Sequence, residues 1–230
     1  MIFHKNIVKA EFIRRPNRFQ AYVKLNGSDI MVHVPNTGRC KEILLPGTII
    51  LLREENGINR KTKYDLIAGY KGNKLINIDS QIPNKVVEEA LKNKKINYFT
   101  KYNKIEREKT FGNSRFDFKL SGDENSKCYV EVKGVTLEKE GVAMFPDAPT
   151  ERGRKHLLEL IEVKKSGMEA AVLFLIQMRD IKYFRPYDEM DKKFGEALRH
   201  AKENYVKVFA YGCDVGENFI VLKDEIKVQL

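Results

Sequence analysis

The sequence is poor in the features that staple or anchor a chain. Its three cysteines, Cys40, Cys128 and Cys213, are odd in number, far apart and without a C-x-x-C pair, so neither a disulfide framework nor a zinc knot organises the fold. A reducing, cytoplasmic setting is expected. The N-terminal stretch MIFHKNIVKAEF has no sustained apolar segment, and the longest apolar run, Ala170 to Ile176, is far shorter than a membrane span. No leader and no membrane partner are expected. Internal repeats and low-complexity segments are also missing. At 230 residues the chain can bury a core without staples, as one large domain or two modest ones.

Acidic residues are scarce in one region. Residues 1 to 79 hold 14 Lys/Arg against 7 Asp/Glu, whereas the remaining 151 hold 28 against 25. The net charge of +10 therefore comes mainly from the N-terminal third, and it favours a polyanionic partner.

What is present falls into two segments of different period. From Phe12 to Ile78, short alternating runs are broken by turn pairs: Phe19, Ala21, Val23 and Leu25, then Asn26-Gly27, then Ile30, Val32 and Val34. Pro46-Gly47 and Asn56-Gly57 flank the run Ile49 to Leu52, and Leu66 to Tyr70 and Leu75 to Ile78 supply further strands. About five short strands in this space predict a small β-barrel over residues 1–80, of OB-fold type given its charge; an SH3-like barrel has the same pattern. After Pro83 the period becomes helical, with Val86, Val87, Ala90 and Leu91 on one stripe. Strands around 104–111, 115–120 and 128–137, a helix over 150–165, a strand at 170–176, a helix through Phe194 to Tyr205 and a strand at 206–211 then predict a mixed α/β domain over 81–230. The continuously apolar Ala170 to Ile176 reads as a strand buried on both faces.

Two stretches pair an acidic residue with a later Glu-x-Lys, a spacing that metal-dependent nucleases use: Asp117 with Glu131-Val132-Lys133, and Asp147 with Glu162-Val163-Lys164. Glu162 and Lys164 lie in a helical segment, where positions i and i+2 point about 200° apart. Glu131 and Lys133 lie on a strand, where they share a face. Phosphodiester cleavage needs a hard cation, Mg2+ or Mn2+, to polarise the phosphoryl group and acidify a water. Asp117 and Glu131 are the expected ligands, with the Val132 carbonyl as a further donor, and Lys133 the charge stabiliser. Glu88, Glu89, Glu106 and Glu108 are additional oxygen donors that the sequence leaves unranked. The competing reading is a solvated strand face of alternating Glu and Lys.

The stretches PNTGRCKEILLPG, QIPNKVVEEAL, REKTFGNSRFDFKL, YVEVKGVTLEKEGVAMFPDAPTERGRKHLLEL and FRPYDEMDKKFGEALRHAKE resemble the sugar fermentation stimulation protein A family over nearly the whole chain. The resemblance implies an N-terminal OB-fold domain joined to a domain of the PD-(D/E)xK nuclease type. It also implies DNA binding and, in bacteria, a proposed role in regulating sugar-utilisation genes. Carried onto this sequence it places the nuclease-like site on Asp117, Glu131 and Lys133, with Glu108 as a further metal ligand. Phe116 stands where the nuclease motif names a proline, a position with no part in metal ligation.

The basic residues suggest where a nucleic acid would lie. Thr150 is placed to cap the helix that follows, and Arg152, Arg154, Lys155 and His156 lie in its opening turns, where a phosphate would reconcile their charge with the helix dipole. Arg14, Arg15 and Arg18 precede the first clear strand, with Tyr22 as the base-stacking aromatic and Phe19, in phase with Ala21 and Val23, as core. Asp147 near its prolines reads as a loop-fixing residue. The expected function is a DNA-binding protein of little sequence specificity with a nuclease-like metal site. The alternatives are a non-catalytic DNA-binding regulator and an RNA-binding module; a homo-oligomer is compatible with each. Replacing Arg14, Arg15 and Arg18 together should weaken DNA binding for every sequence. It should also flatten the slope of log K against log salt by up to roughly 3, about one per lost phosphate contact, as fluorescence anisotropy over a salt series would show.

Overall fold

The computed structural model describes residues 1–57 and 60–230. Its N-terminal sheet contains β1 (Ile7–Asn17), β2 (Gln20–Leu25), β3 (Ser28–His33), β4 (Ile49–Glu54), β5 (Tyr64–Lys71) and β6 (Lys74–Asn77) in the order β3-β2-β1-β4-β5-β6. The sheet curls until β3 meets β5 through the pairing of His33 with Asp65. Asn26 and Gly27, both at positive φ, make the tight β2–β3 turn that their dipeptide predicts.

Two expectations fail here for local reasons. Arg14 and Arg15 do not precede the first strand; they lie on β1, which the sequence conceals because register shifts between Phe12 and Arg14 and between Arg14 and Asn17 break its period of two. Phe19 is not core. It sits in the β1–β2 turn with 55% of its surface exposed, its N–H donating to Asn17 Oδ1 at 2.9 Å, and the alternation of β2 does not extend through that turn.

The switch to helix is where the stripe places it. α1 (Ile82–Lys92) has Pro83 in its first turn and buries Val86, Val87, Ala90 and Leu91. Then follow β7 (Tyr102–Phe111), β8 (Ser114–Gly122), β9 (Lys127–Val135), β10 (Leu137–Lys139), β11 (Val142–Phe145), α2 (Glu151–Lys165), β12 (Glu169–Ile176), β13 (Tyr183–Pro186), α3 (Asp188–Glu203), β14 (Lys207–Val215) and β15 (Ile220–Glu225). The large mixed sheet runs β15-β14-β12-β9-β8-β7, parallel across β9, β12 and β14. A small sheet of β10, β11 and β13 and the edge strand β15 were not foreseen, the former because its strands are only three or four residues long.

β12 sorts the core. Ala170, Val172, Phe174 and Ile176 join one apolar cluster with Leu157, Leu160 and Ile161 of α2 and Phe194 and Leu198 of α3. Ala171, Leu173 and Leu175 join the other, with Val86, Val87 and Leu91 of α1. Neither cluster stays within one section: the first includes Val32, Val34 and Ile43, the second Leu51, Ile67 and Ala68. No helix among the described residues is long and apolar enough to cross a membrane.

A buried carboxylate ties the β5–β6 hairpin to the rest. Glu138 on β10 accepts from Lys71 Nζ at 2.6 Å and from Lys74 Nζ at 3.3 Å. Burial alone would raise its pKa, but Lys71, the Gly141 N–H and Lys74 together hold it below the ordinary glutamate range. A depressed folded-state pKa adds stability that is present above the unfolded value near 4.3 and is lost as pH falls through the folded one. Glu138→Gln should therefore cost roughly 1–3 kcal/mol at pH 7, with the gap to wild type closing on acidification below about pH 4. Urea denaturation across pH measures both; a constant gap would show that the carboxylate charge is not what stabilises the hairpin.

Candidate functional site

The site lies where the large sheet comes apart. β8 pairs with β9 from Ser121–Lys127 to Phe118–Val130 and no further. Phe116 and Phe118, two residues apart and so expected on one face, belong to opposite apolar clusters, so the strand turns over at Asp117. The Asp117 carboxylate fills the gap in the ladder: Oδ2 accepts from the Val132 N–H at 2.7 Å, and Oδ1 accepts from Asn84 Nδ2 of α1 at 2.7 Å. Burial first, and the nearby negative charge of Glu131 second, push the Asp117 pKa up to about 6.

Glu131 is 4% exposed in the middle of β9, opposite Val172 of β12. Burial opposes its ionisation, but the His156 hydrogen bond and the charges of Lys133 and His156 more than compensate and bring its pKa below the ordinary range. His156 Nδ1 donates to Glu131 Oε1 at 2.6 Å, and Lys133 Nζ forms an ion pair with the same oxygen. Arg152 Nε–H faces His156 Nε2 at 3.5 Å. Glu131 Oε2 is buried with no hydrogen-bond partner among the described residues.

Asp117, Glu131 and Lys133 line a cavity of about 430 Å³ that also takes in Asn84, Asp147, Arg152 and Gln177, with His156 behind Glu131. The loop Asn36 to Arg39 forms part of its wall through Asn36, Thr37 and Gly38. Arg15 clamps that loop, donating to the carbonyls of Asn36 at 2.6 Å, Gly38 at 2.7 Å and Arg39 at 3.1 Å. Asp147 Oδ2 accepts from the Arg39 N–H at 3.1 Å, the loop-fixing role expected of it. The approach is close at Gly38: a Cβ there would stand 2.6 Å from Asp147 Oδ2, so that carboxylate would have to shift.

The expected residues divide accordingly. Asp117, Glu131 and Lys133 come together. Glu108 does not join them: it is exposed, at positive φ, and paired with Arg115 Nε at 2.9 Å. Among the described residues no group of three or more His, Cys, Asp or Glu side chains is placed to hold a metal ion; what is present is a pair of carboxylates. His156 is 5% exposed and is a partner of Glu131, not a surface donor; its place on the buried stripe of Gly153, Leu157, Leu160 and Ile161 was the signal for this. Thr150 caps α2 as expected, accepting from the Gly153 N–H at 3.0 Å. The dipole conflict is already met by Asp191, whose Oδ2 accepts from the Thr150 N–H at 2.8 Å. Lys155 turns to the Asn113 carbonyl and Glu159, Arg154 lies half-buried on α2 outside the cavity, and Arg152 alone of this group lines it. Glu162 and Lys164 pair with Lys165 and Glu169, away from any common centre. Tyr22 carries the Arg14 guanidinium over its ring at 4.2 Å, and with Arg15 engaged by the loop, the expected salt-slope change for the three arginines falls to about two contacts. Asn84 and Lys41 were missed, since nothing in their local pattern separates them from other surface polar residues, whereas Arg39 lies in the glycine-containing turn 35–40, which the sequence offers either as a phosphate-holding loop or as a plain turn.

A second cavity, about 840 Å³, opens beside the first and shares Thr37, Gly38, Phe145 and Asp147 with it; Arg14, Arg18, Arg39 and Lys41 line it. The site is thus an acidic pocket at the end of a basic groove.

Comparison with known proteins places this arrangement. Residues 81–219 match the family described as "Sugar fermentation stimulation protein RE domain", and residues 13–78 match "SfsA N-terminal OB domain". Curated relatives called sugar fermentation stimulation protein homolog are 92% identical in Clostridium kluyveri and 68% identical in Clostridium tetani, each over the full length of both chains. A solved structure, that of Pyrococcus furiosus SfsA in complex with Ca2+, superposes with a TM-score of 0.91 at 28% identity over all of both chains. With both sections matched and the curated relatives aligned end to end, the chain belongs to the sugar fermentation stimulation protein family.

Proposed function

We propose that the chain is a DNA-binding protein of low sequence specificity, divided near residue 80 into an OB-type section that holds the strand and a nuclease-type section that holds a divalent cation on Asp117 and Glu131. The observation that carries the reading is Glu131 Oε2, a buried carboxylate oxygen without a donor among the described residues, next to a second carboxylate whose protonation is favoured first by burial and then by the charge of Glu131. Two hard oxygen donors at one point suit Mg2+, Mn2+ or Ca2+, and the Pyrococcus furiosus relative is described with Ca2+. A bound cation supplies charge neutralisation and a more acidic water. The chain's own groups do the rest. Asn84 and the Val132 N–H fix Asp117, His156 fixes Glu131, and Lys133, on the cavity wall, places a positive charge where phosphoryl charge develops. Low specificity follows from cations that meet phosphates, contacts which position a duplex or strand without reading it.

A second reading, a non-catalytic regulator, is favoured by one observation: Lys133 and His156 both engage Glu131 Oε1, so that carboxylate is balanced without any cation.

Asp117→Asn separates the two. The folded-state pKa of Asp117 is raised from 3.8 to about 6, so the fold disfavours its charge, fully so above pH 6. Without divalent cations the variant should be more stable than wild type at pH 8, by at most about 2–3 kcal/mol, and the advantage should shrink as pH falls through 6 towards 4. Mn2+ should raise the melting temperature of wild type and leave that of Asp117→Asn unmoved; equal responses of the two proteins would remove the cation from this site. For catalysis, wild type with Mg2+ or Mn2+ should cut DNA, and Lys133→Ala should lose roughly 100-fold or more while keeping its Mn2+ response. A wild type that answers Mn2+ but leaves DNA intact decides for the regulator.

A further inference from the structure

We infer that the strand this protein takes into its site is unpaired DNA, with phosphates along the basic groove and a base stacked on Phe19. The inference rests on the nucleic-acid reading above and adds the form of the substrate.

The first support is the wall of the site. Asp117 and Glu131 share their cavity with Asn36, Thr37 and Gly38 of the loop Asn36 to Arg39, which is held by the Arg15 clamp, by Asn36 Nδ2 donating to the Ile78 carbonyl at 2.6 Å, and by Asp147 on the Arg39 N–H. A single backbone with its base fits a cavity of about 430 Å³. A duplex would have to displace the clamped loop for its second strand.

The second support is the groove. Arg14, Arg18, Arg39 and Lys41 are exposed and line the larger cavity, which joins the site at Gly38 and Asp147. It runs from the site to the β1–β2 turn, so its charges can follow one phosphate backbone.

The third support lies past that turn. Phe19, next in sequence to Arg18, is 55% exposed and lines a small separate cavity with Gln20, His33 and Lys61. A large apolar ring kept in water beside cations on a basic section has the makings of a stacking platform, and every base presents a face to it. Paired bases, stacked on each other, present none.

The test is binding by fluorescence anisotropy, with EDTA present so that nothing is cut, of a mixed-sequence DNA strand, its duplex and the RNA strand of the same sequence. Single-stranded DNA should bind at least about 10-fold more tightly than duplex, and Phe19→Ala should weaken it roughly 10-fold with little effect on duplex. Phe19→Tyr should retain affinity, and circular dichroism should show both variants folded. Arg18→Ala with Lys41→Ala should flatten the single-strand salt slope by about 1.4, at about 0.7 per contact. Equal or tighter binding of duplex, or an unchanged Phe19→Ala, would overturn the strand assignment while leaving DNA binding in place. Tighter binding of the RNA would overturn the choice of DNA, and no binding of any form would overturn the nucleic-acid reading itself.

Discussion

A carboxylate in the middle of a buried strand has to be balanced, and the rest of the site follows from how Glu131 meets that requirement. Its neighbours on β12 are apolar, so balance comes from beyond the sheet: His156 from α2 on one side, Lys133 from its own strand on the other. Both donors converge on Oε1, and Oε2 is left bare. The adjacent pairing of β8 stops at Phe118, so Asp117 is free to turn its carboxylate onto the Val132 N–H that the ladder leaves without a partner. That backbone N–H needs an acceptor, and an acid provides it only by coming close to Glu131. Two negative charges therefore meet because a sheet splays.

The same splay explains why the two sections cannot be understood separately. The cavity at the opening between β8 and β9 is walled in part by Asn36, Thr37 and Gly38 of the loop Asn36 to Arg39 in the N-terminal section. Arg15 on β1 and Asp147 after β11 grip that loop from opposite sides, and both apolar clusters run through both sections. Strands and a hydrogen-bonded loop hold these side chains in place before any ligand arrives, which lowers the ordering cost of binding.

Much of this was legible in the sequence and some was not, and the division follows the range of the interactions. Strand period alone put Glu131 and Lys133 on one face and ruled out Glu162 and Lys164, because a two-residue repeat and a helical one differ within three residues. The turn at Asn26-Gly27, the buried β12 and the Thr150 cap were equally local. Glu108 was misplaced because its positive φ, which turns the side chain to Arg115, has no signature in a Glu. Phe19 was misplaced because alternation was carried through a turn. Asn84 and the Arg15 clamp depend on chain segments dozens of residues apart, and no local pattern encodes those.

The charge distribution then takes on a meaning that neither section has alone. An acidic pocket repels phosphate, and a protein whose positive charge were spread evenly would do little to overcome that. Here the surplus of 7 lies in the first 79 residues, and part of it lines the groove that ends at the pocket. Fields in clefts are focused by their low-dielectric walls, so the groove draws a polyanion towards the two carboxylates and a divalent cation there would cancel the remaining repulsion. Under the proposed reading strand and cation thus favour each other's binding: the groove holds the strand by itself but leaves a phosphate at the pocket facing Glu131 until the cation is there, and the cation without the groove has nothing to bring the strand to it. The order of charge along this path, basic from Arg18 to Arg39 and acidic at Asp117 and Glu131, is what makes the two ligands depend on each other.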